Sequence, residues 1–178
     1  MIYVFLADGF EEMEALTPVD MLRRVGLEVK TVGVTGKTVM GAHGIPIVAD
    51  LTAWEIEISP VDGVVLPGGM PGTLNLEKSQ VVQDMIDVCY QNGKLVAAIC
   101  AAPSVLGHKG LLQGKKATCF PGFEQDCVGA LMQPDVVVTE GNIISAKGAG
   151  CAMAFGAALI AYFLDHQTAE KLLQDMQV

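Results

Sequence analysis

Short apolar segments alternate along the chain with longer segments in which apolar residues recur at helical spacing. The first apolar run, Ile2 to Ala7, precedes a helical pattern from Glu11 to Val25, and the run from Leu95 to Ile99 precedes another that begins at Ala101. A strand covered by helices on both faces forms a continuous apolar run of this kind. The pattern therefore predicts an α/β fold, with a mostly parallel sheet between two layers of helices.

The same alternation continues to the end of the chain. Further strands are predicted at residues 28–34, 61–66, 136–139 and 143–146, and further helices at 80–92, 101–107, 149–164 and 168–176. Residues 39–48 follow a Gly36-Lys37 turn and lie outside the main pattern, which predicts a small hairpin. Because ligands bind at the carboxyl ends of the strands in an open α/β sheet, three loops should meet there. They are residues 8–14, residues 67–72 and the turn at Cys100.

Length and charge limit the number of domains and the kinds of partner. The 178 residues predict a single domain over residues 1–178. Twenty Asp and Glu residues against 11 Lys and Arg residues give a net charge of -9, which opposes binding to nucleic acid or to an anionic membrane surface. The longest uncharged stretch, Gly148 to Leu164, is shorter than the roughly 20 residues of a membrane-spanning helix and predicts a buried helix.

The cysteines and the N-terminus predict a cytoplasmic protein. Five cysteines, without Cys-x-x-Cys pairs, are typical of free thiols in a reducing compartment, and Met1 to Ala7 carries no basic leader of an export signal. Cys89 and Cys151 fall in helical patterns, which predicts that they pack in the core. Cys119 and Cys127 lie in a less regular region and are expected to be accessible thiols with no neighbouring base.

Cys100 is the strongest candidate for chemistry. It lies where an apolar run gives way to a helix, and Ala98 and Ala102 supply a small residue two positions to either side. A nucleophile elbow needs small neighbours, because its tight turn brings them against other backbone. The helix N-terminus would stabilise a thiolate, so we expect a pKa below the usual value. The alternative is a buried, unreactive cysteine at the end of a strand.

Two glycine-containing segments bear on ligand binding. Pro67-Gly68-Gly69-Met70-Pro71-Gly72 follows a strand, and its backbone N–H groups are candidates for an oxyanion hole, the alternative being a tight turn. The segment lacks the Lys-Ser or Lys-Thr of a P-loop, and Met153 replaces the third glycine of a dinucleotide motif that would begin at Gly148. No three potential ligands cluster at the spacing of a metal site. The sequence therefore predicts no metal and no cofactor.

Glu11, Glu12 and Glu14 form an acidic cluster where the first helix begins. Carboxylates at this position interact favourably with the helix dipole, which is their simplest role. One of the three can instead point toward the strand ends, where burial would raise its pKa and keep it protonated. A protonated acid would donate a hydrogen bond to a Cys100 thiolate without cancelling its charge.

These motifs together resemble those of the ThiJ/PfpI superfamily, specifically the bacterial ThiJ-like subgroup of its Parkinsonism-associated, DJ-one-like branch. The resemblance covers essentially the whole chain and rests on Gly9-Phe10-Glu11-Glu12-Met13-Glu14, Pro18-Val19-Asp20, Leu66-Pro67-Gly68-Gly69 and Ala97-Ala98-Ile99-Cys100-Ala101-Ala102-Pro103. It implies a single ThiJ/PfpI-like, class I glutamine amidotransferase-like domain with a flavodoxin-like three-layer sandwich.

The resemblance also implies a site and an activity. Cys100 would be the nucleophile and an oxidisable redox centre, Glu14 its protonated neighbour, and the backbone N–H groups of Gly69 and Ala101 the oxyanion donors. The implied function is a cysteine-dependent glyoxalase or deglycase that acts on methylglyoxal-type aldehydes or their protein adducts. The alternative is a redox-sensing chaperone or stress-response binding protein, with little turnover, that acts in oxidative stress.

Two positions after the elbow depart from other branches of this superfamily. Ala101 follows the cysteine where the peptidase branch has histidine, which argues against a Cys-His peptidase. Phe120 precedes Pro121 where other members have a histidine, so help from a histidine base is not expected at that position.

The resemblance further implies a homodimer. Met13, Leu16 and Met21 around the first helix offer apolar surface that a partner subunit could cover. His43 stands where several relatives have an arginine that approaches the partner subunit, so a contact of His43 across the dimer is expected.

Overall fold

A seven-stranded sheet forms the middle layer of the fold. The structure is a computed structural model that describes residues 1–59 and 61–178. The described residues form seven strands of the main sheet and two further pairs, β3 with β4 and β8 with β9. In chain order the strands are β1 (Ile2–Leu6), β2 (Val29–Gly33), β3 (Thr38–Met40), β4 (Pro46–Val48), β5 (Leu51–Thr52), β6 (Gly63–Leu66), β7 (Leu95–Ile99), β8 (Lys116–Ala117), β9 (Leu131–Met132), β10 (Val137–Glu140) and β11 (Ile143–Ala146). Its helices are α1 (Glu12–Arg24), α2 (Gly72–Lys78), α3 (Gln80–Gln91), α4 (Pro103–His108), α5 (Ala152–Phe163) and α6 (His166–Asp175), with a 3-10 turn at Ala149–Cys151.

The strand order determines where a ligand can bind. Across the sheet the order is β10, β11, β7, β6, β1, β2, β5. Strand β10 is antiparallel to β11, and the other neighbouring pairs are parallel. From β1 the chain continues to β2 on one side and later to β6 and β7 on the other. The order therefore reverses beside β1, and a crevice forms at the carboxyl ends of the strands at such a point.

Alternate residues of β1 pack on opposite faces of the sheet. Val4 lies in the core that Met21 of α1 and Phe155 of α5 complete, whereas Phe5 lies in the core that includes Ile86 of α3. Both Val4 and Phe5 are fully buried, as a strand between two helical layers requires. The predicted three-layer, flavodoxin-like α/β sandwich is confirmed.

Most predicted elements form within two residues of their expected bounds. Strands β7 and β11 begin and end as predicted, and the hairpin expected in residues 39–48 forms from the antiparallel strands β3 and β4. The sequence missed α2 and the short strands β5, β8 and β9, which are too brief to show a periodic pattern. The helix predicted from Ala149 begins only at Ala152, after the 3-10 turn.

The surface expected around α1 needs one correction. Met21 was assigned to an exposed apolar patch, but it is fully buried, with its side chain against Gly156 of α5. A glycine at this position lets the two helices approach over the methionine side chain. Met13, about two turns before Met21, remains 56% exposed.

The long uncharged stretch forms the 3-10 turn and α5. Phe155 and Leu159 of this helix pack in the core beneath the sheet, as a buried helix was predicted to do. None of the helices in the described residues combines the length and the apolarity that crossing a bilayer requires.

A close backbone approach at Gly107 of α4 leads to a stability prediction. A Cβ at Gly107 would lie 2.6 Å from the Cα of Cys127 and from the nitrogen of Val128, neither of which can move without moving the chain. Gly107→Ala should therefore lower the free energy of unfolding by about 1 to 3 kcal/mol. Gly150 is exposed with no atom within 4 Å of an added Cβ, so Gly150→Ala should change it by less than about 0.5 kcal/mol. Urea unfolding followed by circular dichroism measures both, and equal effects would contradict the steric argument.

Candidate active site

The three loops that the sequence assigned to the strand ends meet in the structure. Glu14 lies in α1 after β1, Gly68 and Gly69 follow β6, and Cys100 follows β7. These three strands are adjacent in the sheet. Residues from distant parts of the chain therefore come together where the strand order reverses.

Cys100 turns the chain from β7 toward α4. Its φ of 66° lies in the left-handed region, which costs a residue with a Cβ on the order of 1 to 3 kcal/mol. Two backbone hydrogen bonds hold the turn: the Cys100 N–H donates to the Ala146 carbonyl at 2.9 Å, and the Phe120 N–H donates to the Cys100 carbonyl at 2.8 Å. The turn thus has the geometry of a nucleophile elbow.

Small residues surround this turn because there is no room for larger ones. A Cβ at Gly68 would lie 2.6 Å from the Cβ of Cys100 and 2.7 Å from Oε2 of Glu14. Ala98 and Ala102, on which the elbow prediction depended, are fully buried. Glycine at 68 is therefore required for the glutamate and the cysteine to approach each other.

Glu14 is the acid of the cluster that reaches the elbow. Glu11 caps α1, since its Oε2 accepts the Glu14 N–H at 2.8 Å, and Glu12 turns away toward His43. The Glu14 side chain is buried, its Oε2 accepts the Gly68 N–H at 2.9 Å, and this oxygen and the Cys100 Cβ meet the same point above Gly68. Because Glu11 folds back on the first turn and Glu12 contacts His43, Glu14 is the acid of the three that faces the strand ends.

Burial changes the acidity of both groups. Desolvation raises the pKa of Glu14 to about 7, which agrees with the expected protonated acid. Desolvation also raises the pKa of Cys100 to about 12, and the carboxyl of Glu14 acts in the same direction. The backbone N–H groups of Ala101 and Gly69 donate to the sulfur and oppose this rise. The expected low pKa of Cys100 is therefore wrong, because it considered the helix N-terminus and omitted burial beside a carboxyl.

The two groups share their titration. Because the carboxyl and the thiol lie side by side in a buried place, their protons leave in two steps that belong to the pair. Between pH values of about 7 and about 12 the pair holds one proton and one negative charge. A carboxylate beside a thiol and a thiolate beside a neutral acid then differ only by transfer of a proton along one hydrogen bond.

An open pocket of about 380 Å³ has Phe120 and Gly148 in its wall, whereas neither Cys100 nor Glu14 lines it. A Cβ at Gly148 would be 3.2 Å from the ring of Phe120 and 3.7 Å from Oε1 of Glu14, so this part of the wall lies near the acid. The sequence had singled out Phe120 as a position near the site, but it considered Gly148 only as the start of a dinucleotide motif, and it missed Lys147 because this segment follows the distant strand β11. The lining residues are Phe120, Pro121, Val136, Lys147, Gly148, Ala149, Gly150 and Cys151.

His43 joins the acidic cluster of its own chain. The ring Nδ1 of His43 lies 2.7 Å from Oε2 of Glu12 and 3.9 Å from Oε1 of Glu11. The backbone N–H of His43 donates to Oε1 of Glu12 at 2.8 Å. These contacts with Glu12 raise the pKa of His43. The three residues could surround a cation, so the expectation that potential metal ligands do not cluster is wrong here. The contact of His43 across a dimer stays a prediction.

The remaining cysteines differ from expectation in two cases. Cys89 is buried in α3, as predicted, and Cys151 is partly buried in the 3-10 turn, where its Sγ lies 3.0 Å from the Gly148 carbonyl. Cys119 and Cys127 were expected to be accessible, but both are buried. An irregular backbone does not imply an exposed side chain, because a loop can cover its own thiols.

Known proteins resemble this chain both in sequence and in structure. The model of the DJ-1/PfpI family matches residues 1–162. Protein DJ-1 homolog B of Arabidopsis thaliana is 36% identical over 94% of this chain, although the chain spans only 39% of that protein. A deglycase of Pyrococcus abyssi is 31% identical over 84% of this chain and 90% of its own length. The solved structure of oxidized Toxoplasma gondii DJ-1 superposes with a TM-score of 0.95 at 32% identity, covering 99% of this chain and 97% of that one.

The shared titration predicts how alkylation of Cys100 depends on pH. The rate with iodoacetamide should rise with a midpoint near pH 7, where the pair loses its first proton and a thiolate becomes available. In Glu14→Gln this step should disappear, because an amide does not ionise. The thiol of the variant should then titrate once, below about 12, since no carboxylate charge adjoins it. Mass spectrometry of the alkylated peptides measures the rates.

Glu11→Gln is the matched control, because its amide oxygen can still cap α1 and both members of the pair are kept. Its step should persist at a somewhat lower pH, since the charge of Glu11 helps to raise the pKa of Glu14. If Cys119 or Cys127 is alkylated before Cys100 at pH 6, the site has been assigned to the wrong cysteine.

Proposed function

The chain belongs to the DJ-1/PfpI family, and on this premise we propose that it is a cysteine-dependent glyoxalase or deglycase with Cys100 as nucleophile. The observation that carries the proposal is the placement of the buried Glu14 carboxyl beside Cys100 at the left-handed elbow, where both side chains meet the same point above Gly68. Covalent catalysis needs a thiolate, and proton transfer needs a group whose pKa lies near the working pH. This pair can supply both from a single proton.

The substrate class that fits is a methylglyoxal-type aldehyde or its adduct on a protein. The pocket volume of about 380 Å³ is ample for a three-carbon aldehyde, and its open side can admit a modified side chain. The deglycases among the relatives support this class. Peptide hydrolysis is not proposed, because Ala101 stands where a Cys-His peptidase needs its histidine. The net charge of -9 opposes a nucleic acid as the primary partner.

In the first step the Cys100 thiolate attacks the aldehyde carbon of methylglyoxal. A carbon–sulfur bond forms, and the aldehyde oxygen takes the proton of Glu14, which gives a hemithioacetal. The N–H groups of Gly69 and Ala101, which donate to the sulfur in the free protein, can follow the charge as it moves to the adjacent oxygen. With a glycated protein, the protein amine leaves from the carbon that the sulfur attacks and takes the proton instead.

In the second step Glu14 acts as the base. Its carboxylate removes the proton from the carbon that bears sulfur, which gives an enediol, and returns that proton to the neighbouring carbon. The hydroxyl proton of the sulfur-bearing carbon passes to the oxygen of the former ketone, so the hemithioacetal becomes a thioester. Water hydrolyses the thioester to lactate and restores the thiol. The sum is addition of one water to methylglyoxal, so no external oxidant or reductant is needed.

Replacing Glu14 tests the role of the nucleophile and the role of the proton carrier separately. Glu14→Gln keeps the shape and a hydrogen-bond donor, so Cys100 should still be alkylated and oxidised, but methylglyoxal turnover should fall by about 10²-fold or more. Single-turnover and steady-state assays of lactate formation measure the loss, with Cys100→Ser as the inactive reference. Unchanged, substantial turnover in Glu14→Gln would remove the role of this acid and direct attention to Glu11 or Glu12.

A redox-sensing protein or chaperone is the second candidate, and the same hydrogen-bond donors favour it. A Cys100 sulfinate would accept from the backbone N–H groups of Gly69 and Ala101 and from a protonated Glu14. In that case peroxide oxidation of Cys100 persists and turnover is low in the wild-type protein as well as in Glu14→Gln. We assign either role to the cytoplasm, because thiolate chemistry at Cys100 needs a reducing compartment.

We further propose a homodimer that covers α1. An apolar groove of about 450 Å³ runs along this helix, with Met13 and Leu16 on one side and Met153 and Met176 on the other. A methionine that is 56% exposed beside such a groove is better buried against a second copy. His43 contacts Glu12, the neighbour of Met13, so a partner subunit on this groove would come close to it.

Sedimentation equilibrium at micromolar concentration should give a mass of about twice 18.8 kDa. Met13→Glu should shift the equilibrium to the monomer, because it buries a charge in the interface. Trp54→Glu is the control: this side chain is 86% exposed and does not line the groove, so the dimer should persist. A single monomeric wild-type species would overturn the dimer and the contact of His43 across it.

A further inference from the structure

The pocket of about 380 Å³ near the elbow presents apolar side chains that the proposed reaction does not use. Phe120 is 46% exposed and Val136 is 52% exposed, and both line the pocket together with Pro121. Single exposed apolar residues are common on a protein surface, but these lie in one concavity. A concave site with such a lining is suited to an apolar group.

Both walls of this pocket are attached to the backbone of the nucleophile. One wall begins at Phe120, whose N–H donates to the Cys100 carbonyl at 2.8 Å. The other wall begins at Lys147, directly after Ala146, whose carbonyl accepts the Cys100 N–H at 2.9 Å. Two direct hydrogen bonds therefore set the position of the pocket relative to Cys100.

Gly148 leaves a passage between the acid and the aromatic ring. A Cβ at this position would lie 3.7 Å from Oε1 of Glu14 and 3.2 Å from the ring of Phe120, so it would contact both. Because glycine has no side chain, a group bound beside the Glu14 carboxyl can extend along Gly148 and reach the ring.

The polar groups of the pocket wall are engaged with other partners. Among the described residues that line the pocket, Lys147 is the charged one, and its Nζ donates to the Pro134 carbonyl at 2.6 Å. The Cys151 thiol donates to the Gly148 carbonyl at 3.0 Å. A strongly hydrated substituent would lose water here while these groups keep their own hydrogen bonds, which is unfavourable.

We propose that this pocket is a subsite for the apolar substituent of the substrate, so that the site prefers α-ketoaldehydes with a substituent the size of a phenyl ring over methylglyoxal. This inference rests on the proposed function. In that reaction Glu14 acts on the carbon bonded to sulfur and on its neighbour, and the substituent extends from the neighbour. With both carbons held at Glu14, the substituent can pass Gly148 and pack against the ring of Phe120.

The chemistry is that of methylglyoxal with another substituent. The Cys100 thiolate adds to the aldehyde carbon of phenylglyoxal, Glu14 moves the proton from this carbon to the former keto carbon, and hydrolysis of the thioester gives mandelate. One water adds to one phenylglyoxal, and no oxidant or reductant takes part. The value of kcat/KM should be about 10-fold or more above that for methylglyoxal, because apolar pockets discriminate by this factor even between groups that differ by one methylene.

Two α-bromoketones test the subsite without turnover. Phenacyl bromide and bromoacetone both alkylate a thiolate with loss of bromide, and they place a phenyl or a methyl group on the ketone next to the carbon bonded to sulfur. The ratio of their rates with Cys100, measured by mass spectrometry and divided by the same ratio for glutathione, should be about 10 or more. Phe120→Ala should lower this ratio by about 3-fold or more, because the aromatic contact is lost while the backbone N–H at the elbow remains.

Leu164→Ala is the matched control, because Leu164 is also 46% exposed but does not line the pocket, and the ratio should equal that of the wild type. Val136→Asp is a second variant, which decides if Phe120→Ala does not fold. A carboxylate in the wall should also lower the ratio, because the phenyl group would then displace its water. A wild-type ratio near 1, or a ratio that the folded variants in the wall leave unchanged, would overturn the subsite.

Assays of mandelate and lactate formation separate this inference from the proposed function. If neither aldehyde is consumed while the alkylation ratio is high and falls in Phe120→Ala, the glyoxalase proposal fails and the subsite is supported. If both aldehydes are consumed and kcat/KM for methylglyoxal equals or exceeds that for phenylglyoxal, the proposed function is supported and the substrate preference is overturned.

Discussion

The close approach of the Glu14 carboxyl to the Cys100 side chain is the interaction on which the rest of the site depends. It joins the first helix to the turn after β7, across the loop after β6. The approach requires glycine at 68, since a side chain there would collide with both the acid and the cysteine. It also requires the left-handed backbone of Cys100, which the Ala146 carbonyl and the Phe120 N–H hold in place. A strained turn and a buried acid thus stabilise each other's position.

The electrostatics of this pair explain how one site can support both turnover and redox sensing. Burial makes each group hard to ionise alone, yet a single negative charge is shared at moderate pH because the N–H groups of Gly68, Gly69 and Ala101 surround it. That charge can reside on the carboxylate when the protein is at rest and on sulfur when an electrophile arrives. A permanently ionised thiol would react with any oxidant. A thiol that ionises by giving its proton to the neighbouring carboxylate reacts where the pocket holds a substrate.

The two faces of the sheet are connected through the backbone at the elbow. Phe120 donates to the Cys100 carbonyl and lines the pocket, and it directly follows Cys119, which is buried in the core on the other face.

The sequence alone determined the layers of the sheet and the position of the elbow, because both follow from local patterns. Continuous apolar runs fix which strands are central, and small residues on both sides of Cys100 mark a crowded turn. The sequence could not decide which of three glutamates reaches the thiol, or that burial raises rather than lowers the pKa of Cys100. Nor could it place His43 against Glu12, 31 residues away along the chain. These features depend on contacts between segments far apart in sequence, and only the tertiary structure fixes the distances and the desolvation that determine their chemistry.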